Sequence, residues 1–312
     1  SILGGRVKTL HPKVFGGILG RLQNETDVEE MKQYEIPAFD LVIVDLYPFE
    51  ETVKTTDDPA KIIEKIDIGG ISLIRAGAKN FNEVVIVPDS KYYDEFMELY
   101  KNQEGCTSIE DRKRFAKYAF ATSSHYDGMI YDWFAKDSET ADLNIHISDH
   151  SELRYGENPH QKAMFYGKLD EVFEKLHGKD LSYNNLLDLE AGLNLIREFD
   201  EPTFAILKHN NPCGIASRPT IAEAYQAALA GDPVSAFGGV FVSNKPIDVE
   251  TANEINKIFF EVIVAPDYNE GVLDILFAKK NRIVLKLKSN DFPTKTYKTA
   301  LNGILMQERD TH

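Results

Sequence analysis

Short apolar runs alternate along this chain with segments in which apolar positions return every three to four residues. Asp40–Val44 and Glu83–Val87 are continuous enough to be buried strands, and Pro59–Lys65 and Ile71–Lys79 between them have helical spacing. Strands separated by helices predict a parallel sheet with crossover connections. Ser108, followed three residues later by Asp111, forms a capping-box pattern. It predicts a long amphipathic helix to about Thr122 that continues toward Phe134.

From Ala135 to Ser151 the chain turns polar and acidic, as a solvated linker must. This predicts a first domain over 1–135, a linker over 136–151 and a second domain over 152–312. A second alternation follows. It has a strand at Phe204–Leu207, a helix at Ile221–Ala230 opened by Thr220 with Glu223 and closed by Gly231, and a strand at Gly239–Val242. A helix ending near Phe260 and strands at Ile263–Ala265 and Ile283–Leu285 complete it. The Asn210-Asn211-Pro212-Cys213-Gly214 segment reads as a turn. No solenoid period and no low-complexity tract is visible. The expectation is two α/β units.

The 312 residues, 43% of them hydrophobic, suffice for more than one core. Thirty-five basic against fifty acidic residues leave a net charge of -15, which disfavours nucleic acid or an anionic membrane as the main partner. A phosphate ligand would need a local basic island. Cys106 and Cys213 are too few for a disulfide framework or a zinc site, which points to a reducing compartment. With no apolar run of about 18 residues and no charged-then-apolar leader, a soluble, cytoplasmic protein is expected. The start at Ser1, directly before a motif, reads as a chain lacking its natural beginning.

Several constellations carry candidate chemistry. Gly4-Gly5-Arg6-Val7-Lys8-Thr9 joins open backbone, two cations and a hydroxyl, a combination suited to a phosphate, although a generic basic turn looks the same. Asp67-Ile68-Gly69-Gly70 leads into a helix whose first amides favour an anion. Lys79 closes that helix, where a cation is favourable for the dipole alone. Tyr47, at a strand end, either packs in the core or offers its hydroxyl to a ligand. Arg154-Tyr155 opens a loop dense in hydrogen-bonding groups. Ser235-Ala236-Phe237-Gly238-Gly239 suits a flat heterocycle or a plain strand entry, and Glu261 suits a site or a solvated strand end. Lys208-His209 sets a cation beside a titratable imidazole at the end of a buried strand, a pairing able to share proton transfer and charge stabilisation.

In this order, GGRVKTLHP (4–12), LYPF (46–49), DIGG (67–70) with RAGAKN (75–80), RYGENPHQ (154–161), LKHNNPCG (207–214), SAFGG (235–239) and EVIVAPDY (261–268) resemble the bifunctional AICAR transformylase/IMP cyclohydrolase family of purine biosynthesis. The resemblance implies a methylglyoxal-synthase-like parallel-sheet domain followed by the first half of a cytidine-deaminase-like α/β transformylase domain. It implies cyclisation chemistry at Lys79, with Tyr47, Lys8 and Asp67, and nucleotide contacts at Arg6, Val7, Lys8, Thr9, Val44, Asp45, Tyr47, Asp67 and Ile68. For formyl transfer it implies His209 as proton acceptor and Lys208 as stabiliser, with nucleotide contacts at Arg154, Tyr155, Gly238 and Glu261. The co-substrate it implies is 10-formyl-tetrahydrofolate, and the ligands are purine nucleotide monophosphates: the AICAR nucleotide, its formyl derivative and IMP. No metal is expected, because the H-x-E and P-C-x-x-C ligands of zinc deaminases are absent. The parent enzyme is expected to be a homodimer. Asp45 departs from the family's usual Asn, Phe15 and Phe81 from a common His, and Gly77 from the usual Ala.

Two other functions compete with this reading. One is a non-catalytic, nucleotide-sensing methylglyoxal-synthase-like module, which would need neither Lys208-His209 nor a second α/β unit. The other is a zinc-free deaminase relative acting on a free base, disfavoured by phosphate-type clusters in both halves.

Overall fold

The computed structural model describes residue 3 and residues 6–138, 142–289 and 291–310. Gly4 and Gly5 of the first motif, and residues 139–141 of the expected linker, lie outside the described residues. The chain forms two compact units, Ser1–His146 and Ile147–His312. Both parallel and antiparallel strands are present, so the class is mixed α/β.

The first unit runs α1 (Pro12–Leu19), α2 (Glu25–Gln33), β1 (Leu41–Ile43), α3 (Phe49–Thr55), α4 (Pro59–Ile63), α5 (Gly69–Lys79), β2 (Val85–Val87), α6 (Tyr93–Asn102) and α7 (Ile109–Ala135). β1 and β2 pair in parallel, Leu41 opposite Val85 and Ile43 opposite Val87. Alternation along β2 sends Ile86 to a cluster with Ile74 and Ala78 of α5 and Ala116 and Ala119 of α7. Val85 and Val87 pack on the other side with Phe96 and Phe115. The capping box opens α7: the Ser108 hydroxyl accepts the Asp111 N–H at 3.1 Å, and the Asp111 carboxylate accepts the Ser108 N–H at 3.1 Å. The helix then runs unbroken for 27 residues, through Ser123, Ser124 and Gly128.

The second unit contains β3 (His150–Leu153), β4 (Ala163–Tyr166), α8 (Leu169–Val172), β5 (Phe173–His177), α9 (Tyr183–Ile196), β6 (Thr203–Lys208), β7 (Asn211–Ser217), α10 (Ile221–Gly231), β8 (Val240–Ser243), α11 (Val249–Ile255), β9 (Val262–Ala265), α12 (Val272–Leu276), β10 (Ile283–Leu287), β11 (Lys295–Ala300) and β12 (Gly303–Glu308). Six strands form one sheet in the order β5-β10-β9-β8-β6-β7. β8, β9 and β10 are parallel, while β5, β6 and β7 pair antiparallel to their neighbours. One face packs Phe204, Ile206, Phe241, Ile263 and Val284 against α10, α11 and α12. The other packs Leu207, Val242, Val264 and Leu285 against Leu189, Leu193 and Ile196 of α9. Apolar side chains on both faces explain why these strands read as unbroken runs.

Three expectations are corrected. Asp40–Val44, expected as a buried strand, forms β1 with Leu41 and Ile43 exposed. The helix expected to end near Phe260 stops at Ile255. The turn expected over residues 210–214 is only His209-Asn210, and Asn211–Ser217 is a strand. Pro212 is tolerated there because β7 is an edge strand and the pairing slips between Ile206 and Leu207, which removes the demand for a ladder donor. Gly214 is required by packing: an added Cβ would lie 1.9 Å from the Ala228 carbonyl oxygen of α10. Gly214→Ala should therefore destabilise the protein by about 3 kcal/mol in urea unfolding. Gly128→Ala in α7, with nothing within 4 Å of the new Cβ, should instead stabilise it by about 0.5–1 kcal/mol.

Candidate functional site

At the start of α5 a cavity of about 610 Å³ takes lining from three separated stretches of chain: Arg6, Lys8 and Thr9; Val44 and Tyr47; Asp67 and Ile68. The stretch before α5 is pinned from α7. The buried Tyr126 hydroxyl donates to the Lys65 carbonyl at 2.6 Å and accepts the Asp67 N–H at 2.9 Å. Burial raises its pKa, so it stays a neutral donor. Asp67 Oδ1 accepts the Gly70 N–H at 2.7 Å. The amides of Gly69 and Ile71, in the same first turn, have no acceptor within the helix. Glycine at 69 lets the Thr9 hydroxyl close on this turn, because a Cβ would sit 2.7 Å from Thr9 Oγ1. Arg6 pairs with Glu64 at 2.6 Å, but both side chains are largely exposed, so the pair is worth about 0–1 kcal/mol and yields readily to a ligand anion. Two cations, a hydroxyl and a helix N-terminus are chemically suited to an anion. Tyr47 is half exposed at the cavity wall, with Lys65 Nζ 5.6 Å from its ring centroid.

Three expected contacts fall elsewhere. Val7 does not line this cavity. The Asp45 carboxylate accepts a hydrogen bond from the Tyr93 hydroxyl and faces a neighbouring recess with Glu50 and His125. Lys79 ends the 11-residue α5, about 15 Å along the axis from Gly69. It lines a different cavity of about 880 Å³ with Arg21, Asn24, Asn82 and Arg112. The following residue, Asn80, is buried and holds the end of α1 through the carbonyls of Ile18 (2.8 Å) and Gly20 (3.1 Å). That bond gives part of the RAGAKN motif a purely structural purpose.

In the second unit, β6 ends in Lys208, whose Nζ donates to the Phe237 carbonyl at 2.9 Å. This ties the strand end to the loop carrying Gly238, whose own N–H donates to the Phe259 carbonyl at 2.8 Å. His209 and Asn210 form the hairpin turn to β7, with φ of 55° and 62°. Glu261, at the head of β9, accepts from Lys179 Nζ (3.1 Å) and Asn185 Nδ2 (3.0 Å), with Arg154 Nη2 at 3.9 Å. Burial raises the Glu261 carboxyl, but these donors and the nearby cations outweigh it, so it lies below its ordinary value. Arg154 also donates to the Tyr155 hydroxyl at 2.9 Å and stacks over its ring. Asp188 of α9 accepts the Asn210 N–H at 2.6 Å and interacts electrostatically with both His209 and Glu261, linking the two groups. Among the described residues no cluster of three or more His, Cys, Asp or Glu could hold a metal ion.

Comparison with known proteins settles the family. Residues 77–312 match the model of the AICARFT/IMPCHase bienzyme. The chain belongs to this family. The bifunctional purine biosynthesis protein PurH of Bacteroides thetaiotaomicron is 56% identical over 310 residues, covering 99% of this chain and 61% of that protein. PurH of Microcystis aeruginosa is 45% identical, covering 99% of this chain and 63% of that protein. The chain thus spans under two thirds of the length of these curated relatives. A solved structure, "Crystal structure of ForH", is 40% identical over 43% of this chain and 69% of its own, with a TM-score of 0.36, too low to bear on the fold.

For a member of the AICARFT/IMPCHase family, sequence reasoning overlooked four residues around these sites. Tyr126 sits in the middle of a helix and gives no local signal. Lys179 precedes a helix as an ordinary surface cation would. Asn185 looks like a capping-box residue, which it also is. Asp188 had a readable signal: it interrupts the apolar stretch Leu186-Leu187-Asp188-Leu189. Removing the Tyr126 hydroxyl leaves the Asp67 amide and Lys65 carbonyl without their partner. Tyr126→Phe should cost about 1–3 kcal/mol by urea unfolding.

Proposed function

We propose that the chain carries the nucleotide-handling parts of two reactions of de novo purine biosynthesis. These are formyl transfer from 10-formyl-tetrahydrofolate to the AICAR nucleotide and dehydrative closure of the product to IMP. The observation that carries the reading is the convergence of Arg6, Lys8, Thr9, Val44, Tyr47, Asp67 and Ile68 on one cavity at a helix N-terminus. In finer terms, the first unit is read as methylglyoxal-synthase-like and the second as part of a cytidine-deaminase-like transformylase domain. The parallel β1–β2 pair beside α5 and the six-stranded sheet with helices on both faces support this. The reading includes a cytoplasmic homodimer that binds neither nucleic acid nor membrane. The net charge of -15 supports the last point, and no described helix is long and apolar enough to cross a membrane.

In the first unit, Arg6, Lys8, Thr9 and the α5 amides hold the phosphate. Tyr47, Lys8 and Asp67 stand where ring closure needs proton traffic: the carboxamide nitrogen attacks the formyl carbon, one proton from that nitrogen and one from the formamido nitrogen pass to the formyl oxygen, and it leaves as water as the formamido nitrogen forms its double bond to carbon. In the second unit, His209 takes the proton of the attacking amine and Lys208 stabilises the tetrahedral oxyanion. The formyl carbon then parts from the folate nitrogen, which takes up a proton. Arg154, Tyr155, Gly238 and Glu261 orient the nucleotide, with Lys179 added to the set.

Lys79 enters this scheme on family resemblance alone. Its distance from the cavity favours a second reading in which the first unit binds nucleotide without closing the ring. In the full-length enzyme, Lys79→Ala should abolish cyclisation and spare transfer. His209→Ala should lower transfer about 10²–10⁴-fold and spare cyclisation. Unchanged cyclisation in Lys79→Ala would remove Lys79 from the ring-closing residues, whereas no cyclisation by the wild-type enzyme would favour the binding-only reading of the first unit. Calorimetry gives the more direct test of the cavity: Arg6→Ala should weaken IMP binding by about 1.5–3 kcal/mol, and equal affinity would exclude Arg6 from the site.

A further inference from the structure

The His209-Asn210 turn is built against backbone preference. Both residues are left-handed, at φ 55° and 62°, in a two-residue connection of the kind usually made with Asn-Gly or Asp-Gly. His tolerates this conformation better than most residues but adopts it at a cost, and such a cost persists only where the surroundings hold it. Here the holding group is Asp188, whose Oδ1 accepts the Asn210 N–H at 2.6 Å. Asp188 is itself buried within α9. The titratable groups near enough to interact with it electrostatically are His209 of the turn, Glu261 at the head of β9 and Cys213 of β7.

The geometry points to Asp188 as a positioning residue for formyl transfer: it fixes the turn that presents His209 and places a negative charge beside the imidazole as it gains the amine's proton. This rests on the assignment of His209 as proton acceptor. The carboxylate is poorly suited to a stabilising role. Burial raises its pKa, the Asn210 amide and His209 oppose that rise, and Glu261 adds to it, leaving it above the ordinary range. A carboxyl with a raised folded-state pKa contributes stability below its unfolded value, about 3.9, and loses that contribution as pH rises through the folded value. A charge on Asp188 is therefore carried at a cost, and an amide with the same shape would satisfy Asn210 without that cost.

Asp188→Asn and Asp188→Ala separate the two roles. In this chain, Asp188→Asn should melt at or above the wild-type temperature at neutral pH, with the difference growing as pH rises from 4 toward 8. Amide hydrogen exchange at Asn210 should stay near wild type in Asp188→Asn and accelerate roughly tenfold in Asp188→Ala. In the full-length enzyme, Asp188→Asn should lower kcat for formyl transfer roughly tenfold or more, with KM for the AICAR nucleotide little changed and the acid limb of the pH–rate profile displaced. Wild-type kcat and pH profile in Asp188→Asn, or an Asn210 amide equally protected in Asp188→Ala, would overturn the proposal. His209→Ala assayed alongside keeps the two ideas apart. Wild-type transfer by that variant would remove the base assignment, while the exchange of Asn210 would still decide whether Asp188 holds the turn.

Discussion

One hydroxyl positions the first unit's cavity. Tyr126, on a long helix otherwise occupied with packing, accepts the Asp67 N–H and donates to the Lys65 carbonyl. The chain entering α5 is thereby fixed, and with it the Asp67 carboxylate that caps Gly70 and the turn against which Thr9 rests. Burial is what makes this bridge firm, since a Tyr hydroxyl surrounded by Phe49, Ile62 and Met129 has little water to exchange for. The cations that would meet a phosphate are held far less tightly. Arg6 is exposed and paired only with Glu64, which leaves it free to reorient. A fixed helix end with movable cations around it suits a ligand that arrives charged and leaves charged.

The second unit uses a different device. Its central strands are buried on both faces, so their ends are rigid, and the candidate site side chains extend from those ends: Lys208 from β6 and Glu261 at β9. Charge is concentrated there and only partly neutralised. Glu261 gathers Lys179, Asn185 and Arg154, whereas Asp188 has an amide and an imidazole for company. Arg282, buried with no carboxylate partner among the described residues, shows that the same unit can house a charge for architectural reasons. Its guanidinium bonds the Asn256 side chain at 2.7 Å and the Ile258 carbonyl at 2.9 Å and stacks on Phe260. The difference lies in what the charge faces: Arg282 is enclosed by backbone and an aromatic ring, and Asp188 faces a titratable side chain on an exposed turn.

Periodicity exposed the strands that are apolar on two faces and the amphipathic helices α4, α5, α7 and α10. β6, β8, β9 and β10 were legible because burial on both sides makes their sequences continuous runs. The β11–β12 hairpin escaped because its residues are largely exposed and its order depends on pairing between its own strands, which composition does not reveal. β7 was mistaken for a turn because Asn, Pro and Gly signal loops locally, whereas at a sheet edge against α10 the glycine serves close packing. Among site residues, those adjoining a helix start or strand end could be named from motifs. Where each would stand could not: Arg6, Tyr47 and Asp67 meet only through the fold, and Lys79, expected with them, lies at the opposite end of α5. Asp188 and Tyr126 act through long-range bonds to Asn210 and Asp67, which no local pattern encodes.

The central claim, that nucleotide phosphate is held at the start of α5, is tested most directly by titrating IMP into the isotopically labelled chain and following backbone amides by NMR. Saturable shifts are expected at Thr9, Gly69, Gly70 and Ile71, with the phosphorus resonance of IMP moving in parallel. Shifts confined to the opposite end of α5, around Lys79, Asn82 and Arg112, would contradict the account.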